Sequence, residues 1–140
     1  MTSRAVDRLQ AELDAFCPTI AERILASVSA YQEDATARAY LGHSVRQNAD
    51  QVIGVFRGLP IDPIAARNVG LLMATGTTVP LESVLLAFGT ARDAFIERLE
   101  ALAREDEDVS DEVARLRAAH DVVVVALVDE YESAKRRAND

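Results

Sequence analysis

The residues of this 140-residue chain that could carry chemistry are few: His43 beside Ser44, His120 at the edge of a valine run, and a single cysteine, Cys17. A hydrolytic site needs a nucleophile on a strained turn with a supported base beside it. His43-Ser44 lies within an ordinary helical pattern, so no catalytic residue is assigned and no enzymatic activity is expected. Two histidines and one cysteine make no Cys-x-x-Cys, His-Glu-x-x-His or Glu-x-x-His spacing, and no metal site is predicted. Gly70 and Gly76 precede Thr77-Thr78, but the lysine and the preceding strand of a phosphate loop are missing. Glu105, Asp106, Glu107 and Asp108 lack the alternating ligands of a calcium loop and read as a solvated hinge.

Three polar residues inside apolar patterns are the candidate ligand contacts: Asn48, Arg92 and His120. Asn48 stands where valine or leucine would be expected, so its amide either braces two helices or faces a pocket. Arg92, between Phe88 and Phe95, either lays its stem along the apolar stripe with its head in water or anchors an anionic ligand. His120 is either a hydrogen-bonded histidine of a core or interface or, like His43 close to the third-helix stripe, a residue that could hold a haem iron or other ligand. No cofactor is assigned.

The elements that must position these residues are helices. Val6, Leu9, Leu13 and Phe16 predict a first helix ending at Cys17-Pro18, and Ile20, Ile24, Leu25 and Val28 a second opening at Pro18. A third begins near Thr36 and carries Leu41, Val45, Asn48, Val52 and Phe56 to the stop at Gly58-Leu59-Pro60. Asp62-Pro63 opens a short fourth helix closed by Gly76, the expected left-handed residue. The fifth runs from Pro80 to about Arg104, with Gly89 inside it marking a close helix crossing. Ser110, Asp111 and Glu112 suit the cap and first turn of a long sixth helix.

On that sixth helix Val113, Leu116, Val123, Leu127 and Tyr131 form one stripe, while Val122, Val125 and Val128 add apolar side chains elsewhere. A helix apolar nearly all round must be covered on more than one side. The expectation is a homodimer with its interface on Val113, Leu116, Val123, Leu127 and Tyr131. The fold expected is all-α: a single bundle of about six helices over residues 1–140, with a long C-terminal helix.

A chain with 49% hydrophobic residues and a net charge of −8 fits one core, and its charge argues against direct nucleic-acid binding. One cysteine calls for no oxidising compartment, and Met1 to Arg8 lack the apolar segment of a secretion signal, so a cytoplasmic location is expected. The most apolar run, Val122 to Val128, is far shorter than the roughly 20 residues that span a bilayer.

Three segments carry a family resemblance: Leu41-Gly-His-Ser-Val-Arg-Gln-Asn48, the corner and helix start from Gly76 through Pro80-Leu81-Glu82 to Phe88, and His120-Asp121-Val122. Together they resemble the N-terminal domain of PucR-type transcriptional regulators, related to that of RsbR-type stress-signalling proteins. Gly89 departs from the pattern, standing where relatives often carry a larger polar residue. The resemblance implies a globin-like bundle without haem that senses, dimerises and signals through its last helix to an output domain or partner protein. The other reading is a small-molecule or tetrapyrrole sensor with its pocket between the third, fifth and sixth helices, near Asn48, Arg92 and His120.

Overall fold

The structure, a computed structural model, describes residues 4–140. Residues 1–3 of the stretch considered above as a secretion signal lie outside them. The described residues form seven α-helices: α1 (Arg4–Ala11), α2 (Leu13–Ser27), α3 (Ser29–Glu33), α4 (Ala35–Phe56), α5 (Ile64–Gly76), α6 (Leu81–Leu102) and α7 (Ser110–Asn139). The bundle is all-α with a long C-terminal helix, as the apolar spacing predicts. The valine run is helical, inside α7.

Two boundaries differ from the expected six. The first break falls at Glu12, where the backbone leaves helical geometry at φ −107° and ψ 7°, and Pro18 lies inside α2. A proline removes the bond to the carbonyl four residues back. That carbonyl belongs to Asp14, a residue exposed to water, and the Thr19 hydroxyl donates to Phe16 O at 2.6 Å. The seventh helix is α3, one turn and a half where the apolar pattern fades, held by the buried ring of Tyr31.

The corners are tied by side chains. Asp34 caps α4 by accepting from the Ala37 amide at 2.9 Å, and its other oxygen accepts from the amide and hydroxyl of Thr78 at 2.8 and 3.0 Å. Gly76 is not the left-handed residue that was expected. It is the last residue of α5, and Thr77 turns the chain in an extended conformation while its hydroxyl donates to Met73 O at 2.8 Å. The one glycine at positive φ among the described residues is Gly58, at 89°, which closes α4. Asp62 accepts from the Ile64 amide at 3.0 Å and so opens α5, as its sequence position suggests. At α7 it is Asp108, not Ser110, whose carboxylate takes the free amide, that of Ser110, at 2.9 Å.

The main core cluster is shared by all seven helices, with Phe56, Phe95, Leu9, Ile20, Met73, Leu99 and Leu127 wholly enclosed, and a smaller one joins Ala66 of α5 to Val123 and Ala126 of α7. α5 packs along α7 more extensively than any other pair. Gly70 makes this possible: a Cβ there would meet Leu127 O at 2.9 Å and Tyr131 N at 3.3 Å. The two backbones touch with no side chain between them. Gly89, read from sequence as the crossing, has only the Arg92 guanidinium near its missing Cβ, at 3.9 Å, and marks none.

This packing covers the stripe that was expected to face a second copy. Leu116, Val123, Leu127 and Tyr131 are buried in the chain's own core, and Val113 packs against it half-buried. The stripe was read correctly as one apolar face, but α5 and the rest of the bundle cover it, so no second copy is needed there. Val122 and Val125 are the large apolar side chains of α7 left in water, at 47% and 70% exposure.

Helix α1 is fastened to the end of α6 and the hinge that follows it. The Arg8 guanidinium donates to Leu102 O at 3.0 and 2.7 Å and pairs with Glu107, whose carboxylate also accepts from the Ala5 amide at 3.0 Å. The acidic hinge is therefore only partly solvated: Glu105 and Asp106 are exposed, Glu107 is a fastening.

Candidate functional site

Asn48 lies near the middle of α4, half-buried, where α4 faces both α6 and the α5–α7 pair. Two clefts meet at it. One is lined by Ser44, Asn48 and Gln51 of α4, Ala66 and Val69 of α5, Phe88 of α6 and Val123 of α7. The other is lined by Ile24, Tyr31, Leu41, Ser44, Asn48, Ala87 and Phe88. Ser44, Asn48 and Phe88 are common to both, so the Phe88 ring is a shared wall. Each cleft holds about 20 Å³, room for roughly one water molecule.

Asn48 is thus a cleft residue, not a brace. Neither its amide nor the Ser44 hydroxyl is tied to another residue among those described. The first cleft is also lined by Gln47, Gln51 and Asp62, and neither cleft is lined by a basic group. The chemistry available is hydrogen bonding to an uncharged polar group beside an apolar wall.

Arg92 and His120 do not join Asn48 at either cleft. They form a second grouping, where α6 and α7 run side by side. Arg92 pairs with its neighbour Asp93 at 2.9 Å, and its charge reaches the imidazole of His120. Burial pushes the His120 pKa below its ordinary value and the Arg92 charge adds to that, against the opposing pull of Asp121 and Asp93. His120 is therefore neutral in the folded protein at pH 7.

His43 is exposed, its ring tilted against Tyr40 at 5.3 Å, turned away from the clefts that Ser44 lines. The Cys17 thiol is buried beside Arg46, and burial raises its pKa despite that guanidinium. Such a thiol is little ionised and a poor nucleophile. No group of three His, Cys, Asp or Glu among the described residues is placed to hold a metal ion.

Several residues that organise the site left no clear sequence signal. The Tyr131 hydroxyl donates to Val79 O at 3.0 Å inside the protein, pinning the Thr77–Pro80 corner to α7. The Arg115 guanidinium donates to Phe56 O at 3.0 Å, holding the end of α4 to the same helix. α7 is thereby tied to the end of α4 and to the corner between α5 and α6.

The chain matches the family model of the RsbT co-antagonist protein rsbRD N-terminal domain over residues 14–140. The chain belongs to this family. It is a signalling domain of the RsbR type. No curated protein and no solved structure matches the chain. No described helix is long and apolar enough to cross a membrane.

The titrating groups give this domain an acid limit in two steps. His120 has a folded-state pKa below the unfolded value of about 6.5, so its contribution is complete above that pH and is lost as pH falls through the folded value. Asp34, held by the Ala37 and Thr78 amides, and Glu12 and Glu107, held by Arg98 and Arg8, are depressed carboxylates. Their contribution is present above the ordinary carboxylate range near pH 4 and is lost below it. Melting temperature measured from pH 8 to pH 3 is expected to fall first below about pH 6.5 and again below about pH 4. His120→Gln removes the first step only; an unchanged profile in that variant would show that His120 does not carry it.

Proposed function

We propose that the domain is a non-enzymatic sensory and dimerising module of a bacterial stress or transcriptional regulator, working in the cytoplasm and transmitting through α7 to an output domain or partner protein. The observation that carries this reading is α7 itself. It anchors α4, α5 and α6, runs about 45 Å at 1.5 Å per residue, and keeps Val122 and Val125 in water on its outer face. A helix so placed converts a shift of the bundle into movement of whatever its ends are joined to. The family match supports the stress-signalling branch over the PucR-type branch of the resemblance.

The dimer contact belongs on the exposed face of α7. Sedimentation equilibrium of the native chain is expected to show a dimer, and Val122→Glu with Val125→Glu a helical monomer by circular dichroism. A native chain that is monomeric throughout would remove dimerisation from the proposal.

The clefts at Asn48 favour a second reading, a small-molecule sensor. The two uncommitted polar side chains would meet an uncharged ligand of few atoms, and opening both clefts together requires only that Phe88 move. A tetrapyrrole does not fit spaces of this size, and His120 lines neither of them.

A further inference from the structure

A third polar group joins Ser44 and Asn48 at the second cleft. Tyr31, from the short α3, lines that cleft and is only 3% exposed, yet its hydroxyl is tied to no other residue among those described. The ring serves the packing; the hydroxyl does not. A buried hydroxyl without a partner weakens a fold, and phenylalanine in its place would fill the core at least as well. Burial also pushes the Tyr31 pKa up, so the group keeps its proton and stays a donor. No charged residue lines this cleft, and Phe88 is the wall it shares with the first.

We propose that the second cleft binds an uncharged planar carboxamide, with Tyr31, Ser44 and Asn48 holding the amide group and Phe88 lying against the flat body of the molecule. The inference rests on the small-molecule reading above and names its ligand class. One carboxamide carries an acceptor oxygen and donor N–H groups side by side. The Tyr31 hydroxyl donates to the oxygen, while the Asn48 amide and the Ser44 hydroxyl, each both donor and acceptor, take the remaining positions. An alcohol or a ketone leaves part of this set unmet. A carboxylate brings a charge into a space that no basic group lines. At about 20 Å³ each, neither cleft alone admits such a molecule, so Phe88 swings from between them and its ring packs on the ligand as aromatic pairs do.

Benzamide, benzoate and toluene share a flat aromatic body and differ in charge and hydrogen bonding, and NMR titration of the backbone amides reads which of them enters. Benzamide is expected to bind saturably in the millimolar range, shifting the amides of Tyr31, Ser44, Asn48 and Phe88, with benzoate and toluene each about tenfold weaker or more. Tyr31→Phe removes only the hydroxyl. It is expected to weaken benzamide about tenfold, to leave toluene unchanged and, without ligand, to melt no lower than the native chain. Toluene or benzoate binding as well as benzamide, or benzamide binding that Tyr31→Phe leaves unchanged, overturns the carboxamide site while the small-molecule reading stands. If none of the three binds at the clefts, both fall. A Tyr31→Phe chain that melts well below the native one would show that the hydroxyl already has a partner, and that result overturns the carboxamide site as well.

Discussion

Leu127→Ala is expected to lower the unfolding free energy by about 2–5 kcal/mol, whereas Val125→Ala, two residues along the same helix, changes it by less than about 0.5 kcal/mol. Leu127 is wholly enclosed, and its carbonyl lies against Gly70 of α5. Removing its branched end leaves a cavity inside the core, which is the source of the loss. Val125 is 70% exposed and loses little packing within the chain. Urea denaturation of both variants at a protein concentration where the native chain is monomeric decides the matter. Equal effects at the two positions would mean that α7 is rotated about its axis from the orientation described.

A substitution at Gly70 acts from the other side of the same contact. Gly70→Val places a Cβ within 2.9 Å of the Leu127 carbonyl oxygen and adds two methyl groups beyond it, against backbone that cannot turn aside. The helices must separate, and the expected loss is about 3 kcal/mol, at the upper end of what overpacking costs. Gly89→Ala is the control. It lies in a helix interior with nothing closer than 3.9 Å to the added carbon, so it gains about 0.5–1 kcal/mol by restricting the unfolded chain. Thermal melts of the two variants should move in opposite directions. A neutral Gly70→Val would show that α5 is not seated on α7 as closely as the geometry has it.

Both results bear on what could be read before the fold was seen. The all-α class, the long final helix and the helical state of the valine run followed from apolar spacing, which reports which residues share a face. Spacing does not report what covers that face. Leu116, Val123, Leu127 and Tyr131 were grouped correctly and assigned to a second chain. The covering element is α5, 13 residues long, and its fit depends on a glycine that looks no different in sequence from Gly89.

Punctuation was legible in type and less so in place. Pro18 reads as a helix boundary because proline removes a backbone bond, but the carbonyl it frees is that of exposed Asp14, so the helix continues through it. Asp34 showed nothing in sequence beyond a fading pattern. Its two roles, capping α4 and holding Thr78, join residues 44 apart in the chain. The site was legible one residue at a time. Asn48 stood out because an amide interrupts an apolar stripe, and it does line both clefts; Arg92 and His120 stood out for the same reason and lie elsewhere. Position along separate helices cannot tell which polar interruptions converge.

The fastening of Arg8 to Leu102 and Glu107 has a consequence for how the chain is made. Val6 and Leu9 of α1 are enclosed in the folded protein, yet the groups that hold this helix in place are synthesised about a hundred residues after it. At 5–20 residues per second the nascent chain carries these apolar side chains uncovered for about 5–20 s. Ribosome-bound chains halted before residue 102 should therefore be cut by protease within residues 4–11, and chains halted well past residue 140 should be protected there. Helix α1 leaves the ribosome well before the groups that fasten it.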